Sequence, residues 1–438
     1  MDAATGRVPM ARLAATSLLG ASIEWFDFYL YGAAAALVFP TLYFPKSMPP
    51  MVALLASFST FAVGFFARPV GAVLFGHFGD RIGRKAALAA ALVLMGVSTA
   101  LVGLLPSYAT IGVIAPTLLV VLRFTQGLAI GGQWGGAMLL VVESAPPEKR
   151  GFYGSFAQVG APAGVVLANL AFLIVAALTS HETFMSWGWR IPFVMSLGLV
   201  GLAWYVHVRV EETAAFKKLS ASRAQAPKGR SPILEAFASH PRQILLAAGA
   251  FVAVQVSFYI SITFVMAYGT NPQFGLGLPQ STLLGSIMVS SALMAPTLLW
   301  FGRLSDRFGR RRIFKLGAVC VGLWSFAFFP LIDTRSPLWI TVAVAGALVL
   351  NGMMYGPQAA LFGELFRTRV RYSGASLGYQ LGSACGGGLA PLVAMEILHR
   401  THGTFGIALY MAGACCVTLL CVSLLGAGQT GDLADDGT

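Results

Sequence analysis

The sequence predicts an all-α polytopic membrane protein, with twelve transmembrane helices in two pseudo-symmetric six-helix halves. Three observations lead there. The 438-residue chain is 57% hydrophobic and only 11% charged, with a mean hydropathy of +0.75, which no ordinary soluble enzyme has. Apolar stretches of roughly 20 residues, each long enough to cross a hydrocarbon layer of about 30 Å, recur from end to end. A short charged motif, GHFGDRIGRK at 76–85, returns as GRLSDRFGRR at 302–311, each time on the border of two apolar runs. Backbone polar groups in hydrocarbon must be satisfied within their own segment, so the spans are helices. The alternating ten-residue strands of a membrane barrel are absent.

Twelve spans are expected near 13–39, 51–76, 86–105, 111–140, 152–179, 187–208, 243–269, 280–302, 313–331, 337–363, 372–398 and 404–427. The first is too long for a cleaved signal, carries Glu24 and Asp27, and lacks a convincing cleavage site. An even number of spans puts both termini on one side.

The net charge of +12 raises nucleic acid as a partner, and its distribution answers. Arg7 and Arg12, Arg81, Arg84 and Lys85, Lys149 and Arg150, the 209–242 and 303–315 segments, and Arg367, Arg369 and Arg371 together hold 23 of the 29 basic residues, all on one side. Lys46, Arg190, Arg335 and Arg400 fall on the other, and Arg68 and Arg123 lie within spans. That asymmetry orients the chain with both termini in the cytoplasm. The expected setting is the inner membrane of a bacterium. The basic charge serves insertion and lipid headgroups, not nucleic acid.

The polar stretch 209–242 separates six spans from six. The expected units are an N-terminal half (1–208), a cytoplasmic linker (209–242), a C-terminal half (243–427) and a short acidic cytoplasmic tail (428–438). The halves repeat in more than one motif. Glu143 with Lys149 and Arg150 is matched by Glu364 with Arg369 and Arg371. Gln158, Gly160 and Gly164 return 222 residues later as Gln380, Gly382 and Gly386. Parallel six-helix repeats with a site at their interface are a transporter architecture.

These residues resemble a known family. The pattern G-x-x-x-D-R-x-G-R-K between spans 2 and 3 resembles the signature loop of the major facilitator superfamily, and its second copy resembles the partner loop between spans 8 and 9. Within that superfamily, GASIEWFDFYLYG (20–32), ARPVGAVLFGHFGDRIGRK (67–85), RFTQGLAIGGQWGGA (123–137) and ELFRTRVRYSGAS (364–376) together resemble the metabolite:proton symporters of the shikimate, 2-oxoglutarate, citrate and proline/betaine type. The resemblance implies that superfamily's fold and alternating access coupled to proton entry. It implies uptake of a small carboxylate, with a zwitterionic osmolyte such as proline or betaine as the alternative, and a proton-antiporting exporter more remote. By the same resemblance, Asp80 caps the N-terminal end of span 11 and Asp306 that of span 5. Asp80, Arg84, Glu143, Asp306, Arg310 and Glu364 would then form a cytoplasmic latch. The bland alternative is a tight Gly-rich turn (Gly76, Gly79, Gly83) with topogenic charge, the whole role expected of Arg81, Lys85, Arg311 and Arg312. The chain departs from the family at Gln133, where many members carry Glu.

Charges inside the bilayer cost at least ~2.5–3.5 kcal/mol each, so they face a partner or a wet cavity. The first half has four: Glu24, Asp27, Arg68 and Arg123. At 1.5 Å per residue, Glu24 and Arg123 lie roughly 16 Å into their helices, at similar depth, with Arg68 expected nearer the cytoplasmic end. Glu24, Asp27 and Tyr31 share one helical face, as do Arg123, Gln126 and Gln133. Arginine does not release its proton, so Glu24 and Asp27 are the candidate proton carriers. Arg123 and Arg68 are the candidate anion binders; the alternative is a permanent ion-pair cluster. Tyr31, Gln126, Gln133, Trp134 and Gln158 join them as candidate substrate contacts. The second half adds Gln255, Tyr259, Asn351, Tyr355 and Gln380, and it has Val344 where the repeat would match Arg123.

Other chemistries find no support. No phosphate-binding loop G-x-x-x-x-G-K-[ST] is present, so ATP drive is not expected. The five cysteines fall in spans, without the pattern of a disulfide framework or zinc site. No catalytic constellation stands out, so an enzyme or a passive channel ranks last. Neither cofactor nor metal is expected. The expected partners are a small anionic or zwitterionic metabolite, protons and the lipid bilayer, around a monomer.

Overall fold

The computed structural model describes residues 10–82, 84–131, 141–142, 144–198, 201, 240–366 and 368–425. The first half gives α1 (Met10–Leu37), α2 (Pro50–Ile82), α3 (Arg84–Leu104), α4 (Ile114–Gly131), α5 (Arg150–Leu178) and the short α6 (Arg190–Met195), which follows a π turn at Phe184–Gly188. The second half begins with α7 (Pro241–Tyr259), which runs through a π turn at Ile260–Phe264 into Val265–Thr270. Then come α8 (Gln280–Phe308), α9 (Arg310–Asp333) and α10 (Pro337–Leu365). Helix α11 (Thr368–Ser383) has its own π turn at Ala384–Gly388 and continues as Ala390–Thr401, and α12 (Phe405–Leu424) ends the bundle. Among the described residues, nine helices are long and apolar enough to cross a membrane, and Ala89–Leu104 adds a shorter apolar one. The linker at 209–239 and the tail lie outside the described residues, as do Gln133, Trp134 and Glu143.

Small residues let the helices meet closely. A Cβ on Gly127 or Gly131 would strike the backbone carbonyl of Gly64 or Arg68, which holds α4 against α2. The repeated glycines act alike in the two halves. Gly160 and Gly164 bring α5 onto Ala21 and Trp25 of α1, and Gly382 and Gly386 bring α11 onto Ala248 and Gln255 of α7. In the absence of a hydrophobic drive between helices in lipid, such close approach is what dispersion contacts need. Between the halves, α5 packs on α8 and α10, while α2 packs on α11.

Most of each signature segment is helical. Helix α2 continues through Gly76 and Gly79 to Ile82, carrying Asp80, and α3 opens at Arg84. In the second copy α8 runs to Phe308, and the chain reverses at one residue, Gly309, whose φ of +93° suits only glycine. Arg311, expected to be topogenic only, donates to the Leu425 carbonyl at 2.6 Å and so ties α9 to the end of α12.

Candidate substrate and proton site

Helices α1, α2 and α4 converge on the ring of Phe28. The Arg68 guanidinium carbon lies 4.3 Å from its centroid and 4.4 Å from that of Phe65. The Arg123 guanidinium carbon lies 4.2 Å from Phe28, 4.1 Å from Tyr31 and 4.8 Å from Phe61. Phe61, Phe65 and Arg68 follow i, i+4, i+7 spacing, so one face of α2 presents them together. Gly64 makes room on that face: a Cβ there would meet Arg123 Nε. Arg68, expected nearer the cytoplasmic end, thus shares an aromatic neighbour with Arg123. Both lie against Phe28 although the apolar span of α2, Pro50–Phe75, still puts Arg68 in its second half.

All four charged groups are buried, with Glu24 8%, Asp27 2%, Arg68 0% and Arg123 1% exposed. Yet neither carboxylate makes a salt bridge or hydrogen bond to either guanidinium among the described residues. Arg68 is the charged neighbour of Glu24, whose Oε1 has no partner. Asp27 Oδ1 accepts from Ser196 Oγ of α6 at 2.5 Å, and its Oδ2 is unpartnered. Arg68 Nε, Nη1 and Nη2 and Arg123 Nε and Nη2 have no acceptor. Cation–π contacts of about 2 kcal/mol each offset part of the desolvation, and buried guanidinium nitrogens without a protein acceptor suit an anion. A closed ion-pair cluster is therefore not what the centre contains.

Two residues expected at the substrate hold Arg123 instead. Gln126 accepts from Arg123 Nη1 at 3.1 Å and donates to Thr99 Oγ1 at 2.8 Å, so both ends of its amide are taken. The Tyr31 hydroxyl is bonded to Thr60 Oγ1 at 2.8 Å and its ring backs the guanidinium.

The second half brings neutral groups. Asn351 Nδ2 donates to the Val254 carbonyl at 2.8 Å and to Ser257 Oγ at 2.5 Å, and Gln255 Nε2 donates to Ser383 Oγ at 2.5 Å. Gln158 of α5 reaches across the interface to the Tyr355 carbonyl and to Gln358 Oε1, at 3.5 and 3.4 Å. Gln380 is fully buried with both amide atoms unpartnered, and the Tyr259 hydroxyl lies beside the Tyr29 hydroxyl and Arg68. Tyr259 stacks edge-on against Phe28, Phe61 and Phe65, closing the halves over the arginines. A narrow cleft of about 10 Å³, room for about one water, remains between Trp25 and Tyr29 of α1, Ala161 of α5, Gln255 and Phe258 of α7, and Tyr355 of α10.

Sequence reasoning missed Phe28, Phe61, Phe65, Thr99 and Ser196. The aromatic spacing before Arg68 is a readable signal for the rings on α2. Nothing in the sequence distinguishes Thr99 or Ser196 from other hydroxyls in apolar helices.

At the cytoplasmic end, Asp306 Oδ1 and Oδ2 accept from the backbone N–H groups of Gly151 and Phe152, at 2.8 and 2.9 Å, where α5 begins. Arg310 lies 3.4 Å from Asp306, donates to the Pro147 carbonyl at 3.3 Å and pairs with Glu364 of α10. An anion at a helix N-terminus contributes up to about 2 kcal/mol when partly buried. The side chains of Asp80 and Arg84, like Glu143, lie outside the described residues.

A helical bundle whose halves close over buried, half-satisfied charges is a membrane carrier. Residues 17–391 match the family described as the Major Facilitator Superfamily, and the chain belongs to it. It is 43% identical over 413 residues to the inner membrane metabolite transport protein YhjE of Escherichia coli (strain K12), covering 93% of this chain and 92% of that one. It is 41% identical over 427 residues to the shikimate transporter of the same strain, covering 97% and 96%. Against the glycine betaine/proline/ectoine/pipecolic acid transporter OusA of Dickeya dadantii (strain 3937) it is 32% identical over 423 residues, covering 95% and 82%. The proton:xylose symporter XylE bound to 6-bromo-6-deoxy-D-glucose superposes with a TM-score of 0.72 at 15% identity, over 95% of each chain, which shows the fold alone. The protein is a multi-pass transporter, not an enzyme.

Proposed function

We propose that the protein takes up a small carboxylate metabolite by proton symport, through alternating access of halves 1–208 and 243–427 in a bacterial inner membrane. The observation that carries this reading is the set of five unpartnered guanidinium nitrogens on Arg68 and Arg123, beside two carboxylates that pair with neither. A carboxylate ligand supplies the missing acceptors, and a proton on Glu24 or Asp27 keeps the centre neutral. Arg68 is the better first anchor, because its nitrogens meet no acceptor but the neighbouring Tyr259 hydroxyl and Trp25, its ring neighbour, lines the cleft. Arg123 completes the grip. Gln255 and Tyr355, which line the cleft, Tyr259 and Gln380, which are buried beside the interface, and Gln158, which bonds to the Tyr355 carbonyl, are the recognition groups.

The alternative, a zwitterionic osmolyte, needs free aromatic faces for its ammonium group. Phe28, Phe61 and Phe65 already carry guanidiniums, whereas Tyr29, Phe258 and Tyr355 at the cleft do not, so the preference for the carboxylate rests on the two buried arginines. Relatives named as shikimate and as glycine betaine/proline transporters give both classes standing. The test is uptake into proteoliposomes of labelled hydroxylated monocarboxylates, dicarboxylates, tricarboxylates and betaines, with and without a proton gradient. Gradient-dependent accumulation of a carboxylate is expected; accumulation of betaines alone, or of carboxylates with no dependence on the gradient, would overturn the reading.

A further inference from the structure

Arg123 and Asp27 make no direct bond, yet a chain of hydrogen bonds runs from one toward the other. Arginine has only donors, so the Gln126 oxygen must be the atom facing Arg123 Nη1. The Gln126 amide nitrogen therefore faces Thr99 Oγ1, which accepts it. Thr99 has one proton left to donate, and it goes to the Met95 carbonyl at 2.9 Å. The same hydroxyl stands beside Asp27, whose Oδ2 lacks a partner. The Arg123 and Gln126 donors point toward Thr99, whose single rotatable hydroxyl, bonded here to the Met95 carbonyl, ends the chain.

From this geometry we infer that Thr99 and Gln126 are positioning residues that couple the protonation of Asp27 to the placement of the Arg123 guanidinium. When Asp27 is ionised, the Thr99 hydroxyl turns from the Met95 carbonyl to Oδ2, and Gln126 holds Arg123 back. When Asp27 takes a proton, that pull lapses, the hydroxyl returns to Met95, and Arg123 is released toward an anion. No proton travels along the chain; one hydroxyl rotates and the existing bonds lengthen or shorten. No charged group bonds to Asp27; Glu24 lies one turn away on its own helix, and the groups that meet the carboxylate from other helices are the Ser196 and Thr99 hydroxyls. Ser196 holds the other oxygen from α6, which leaves Oδ2 as the free end. The inference rests on the proposed role of Asp27 as a proton carrier.

The test needs no substrate. The full-length protein in lipid is titrated by infrared spectroscopy, following carboxylic-acid C=O bands assigned by their loss in Asp27→Asn and Glu24→Gln. Thr99→Val and Gln126→Leu are each expected to shift the midpoint of the Asp27 band by about one pH unit, a tenfold change in proton affinity, while Thr99→Ser leaves it in place. Thermal stability measured alongside identifies variants that are folded. Should Thr99→Val fail to fold, Gln126→Leu carries the test. An unmoved Asp27 midpoint in folded Gln126→Leu would overturn the relay. A titrating Glu24 band with no Asp27 band would also overturn it, and would move the proton to Glu24 while leaving the carrier reading intact.

Discussion

The two halves share a helical plan and differ at its centre. The first half buries two arginines and two carboxylates; the second meets them with amides and phenols, led by Gln255, Asn351, Gln358, Gln380 and Tyr259. The equivalence of the scaffolds is close, since Gly160 and Gly164 seat α5 on α1 as Gly382 and Gly386 seat α11 on α7. The site of Arg123, by contrast, is matched in the repeat by the buried Val344. A duplicated backbone thus hosts two chemistries, because helix packing depends on small residues at a few contacts while charge depends on single side chains. Charge is costly in hydrocarbon, so it pays to concentrate it on one side and let neutral donors read the ligand.

That contrast is broken most severely at the carboxylates. Glu24→Gln and Asp27→Asn are expected to abolish gradient-driven accumulation, with at least one of them retaining counterflow exchange, measured in proteoliposomes. Wild-type accumulation by both would take coupling out of the first half. Next come the arginines. Arg68→Lys and Arg123→Lys keep the charge but lose the planar fork, and weakened substrate binding by ~2–4 kcal/mol, about 30- to 800-fold, is expected by calorimetry. The larger loss belongs to Arg68, whose nitrogens have no carboxylate, amide or carbonyl partner. Equal, near-normal affinity in both variants would assign the pair to packing.

The latch sharpens the comparison at the cytoplasmic end. Asp306→Asn removes the charge facing the N-terminus of α5, and it should destabilise the inward-closed arrangement by ~1–2 kcal/mol. Cysteine accessibility from the two membrane sides reports it. Unaltered labelling would leave the motif a topogenic role alone. The smallest effect is expected at Asn351→Leu in the neutral half, which loses its bonds to Val254 and Ser257 at a cost of ~1 kcal/mol. A shift in melting temperature with coupling intact is the expected outcome; lost coupling would erase the proposed division between the halves.

Much of this was legible in the residues themselves. Length and hydropathy dictated helices that cross a bilayer, since the only other self-satisfied arrangement there, a closed barrel, needs alternating strands that the sequence lacks. The doubled signature and the 222-residue repeat of Gln and Gly revealed the duplication, and four charges in apolar spans marked the centre. Their partners were not legible, because helical spacing tells which residues share a face but not which neighbour that face meets. Only the packed bundle decided that Arg68 and Arg123 rest on Phe28 and not on Glu24 and Asp27, that Gln126 and Tyr31 serve Arg123, and that Thr99 and Ser196 stand at Asp27. Those contacts join helices dozens of residues apart, and their geometry follows from how closely Gly64, Gly127 and Gly131 let α2 and α4 approach.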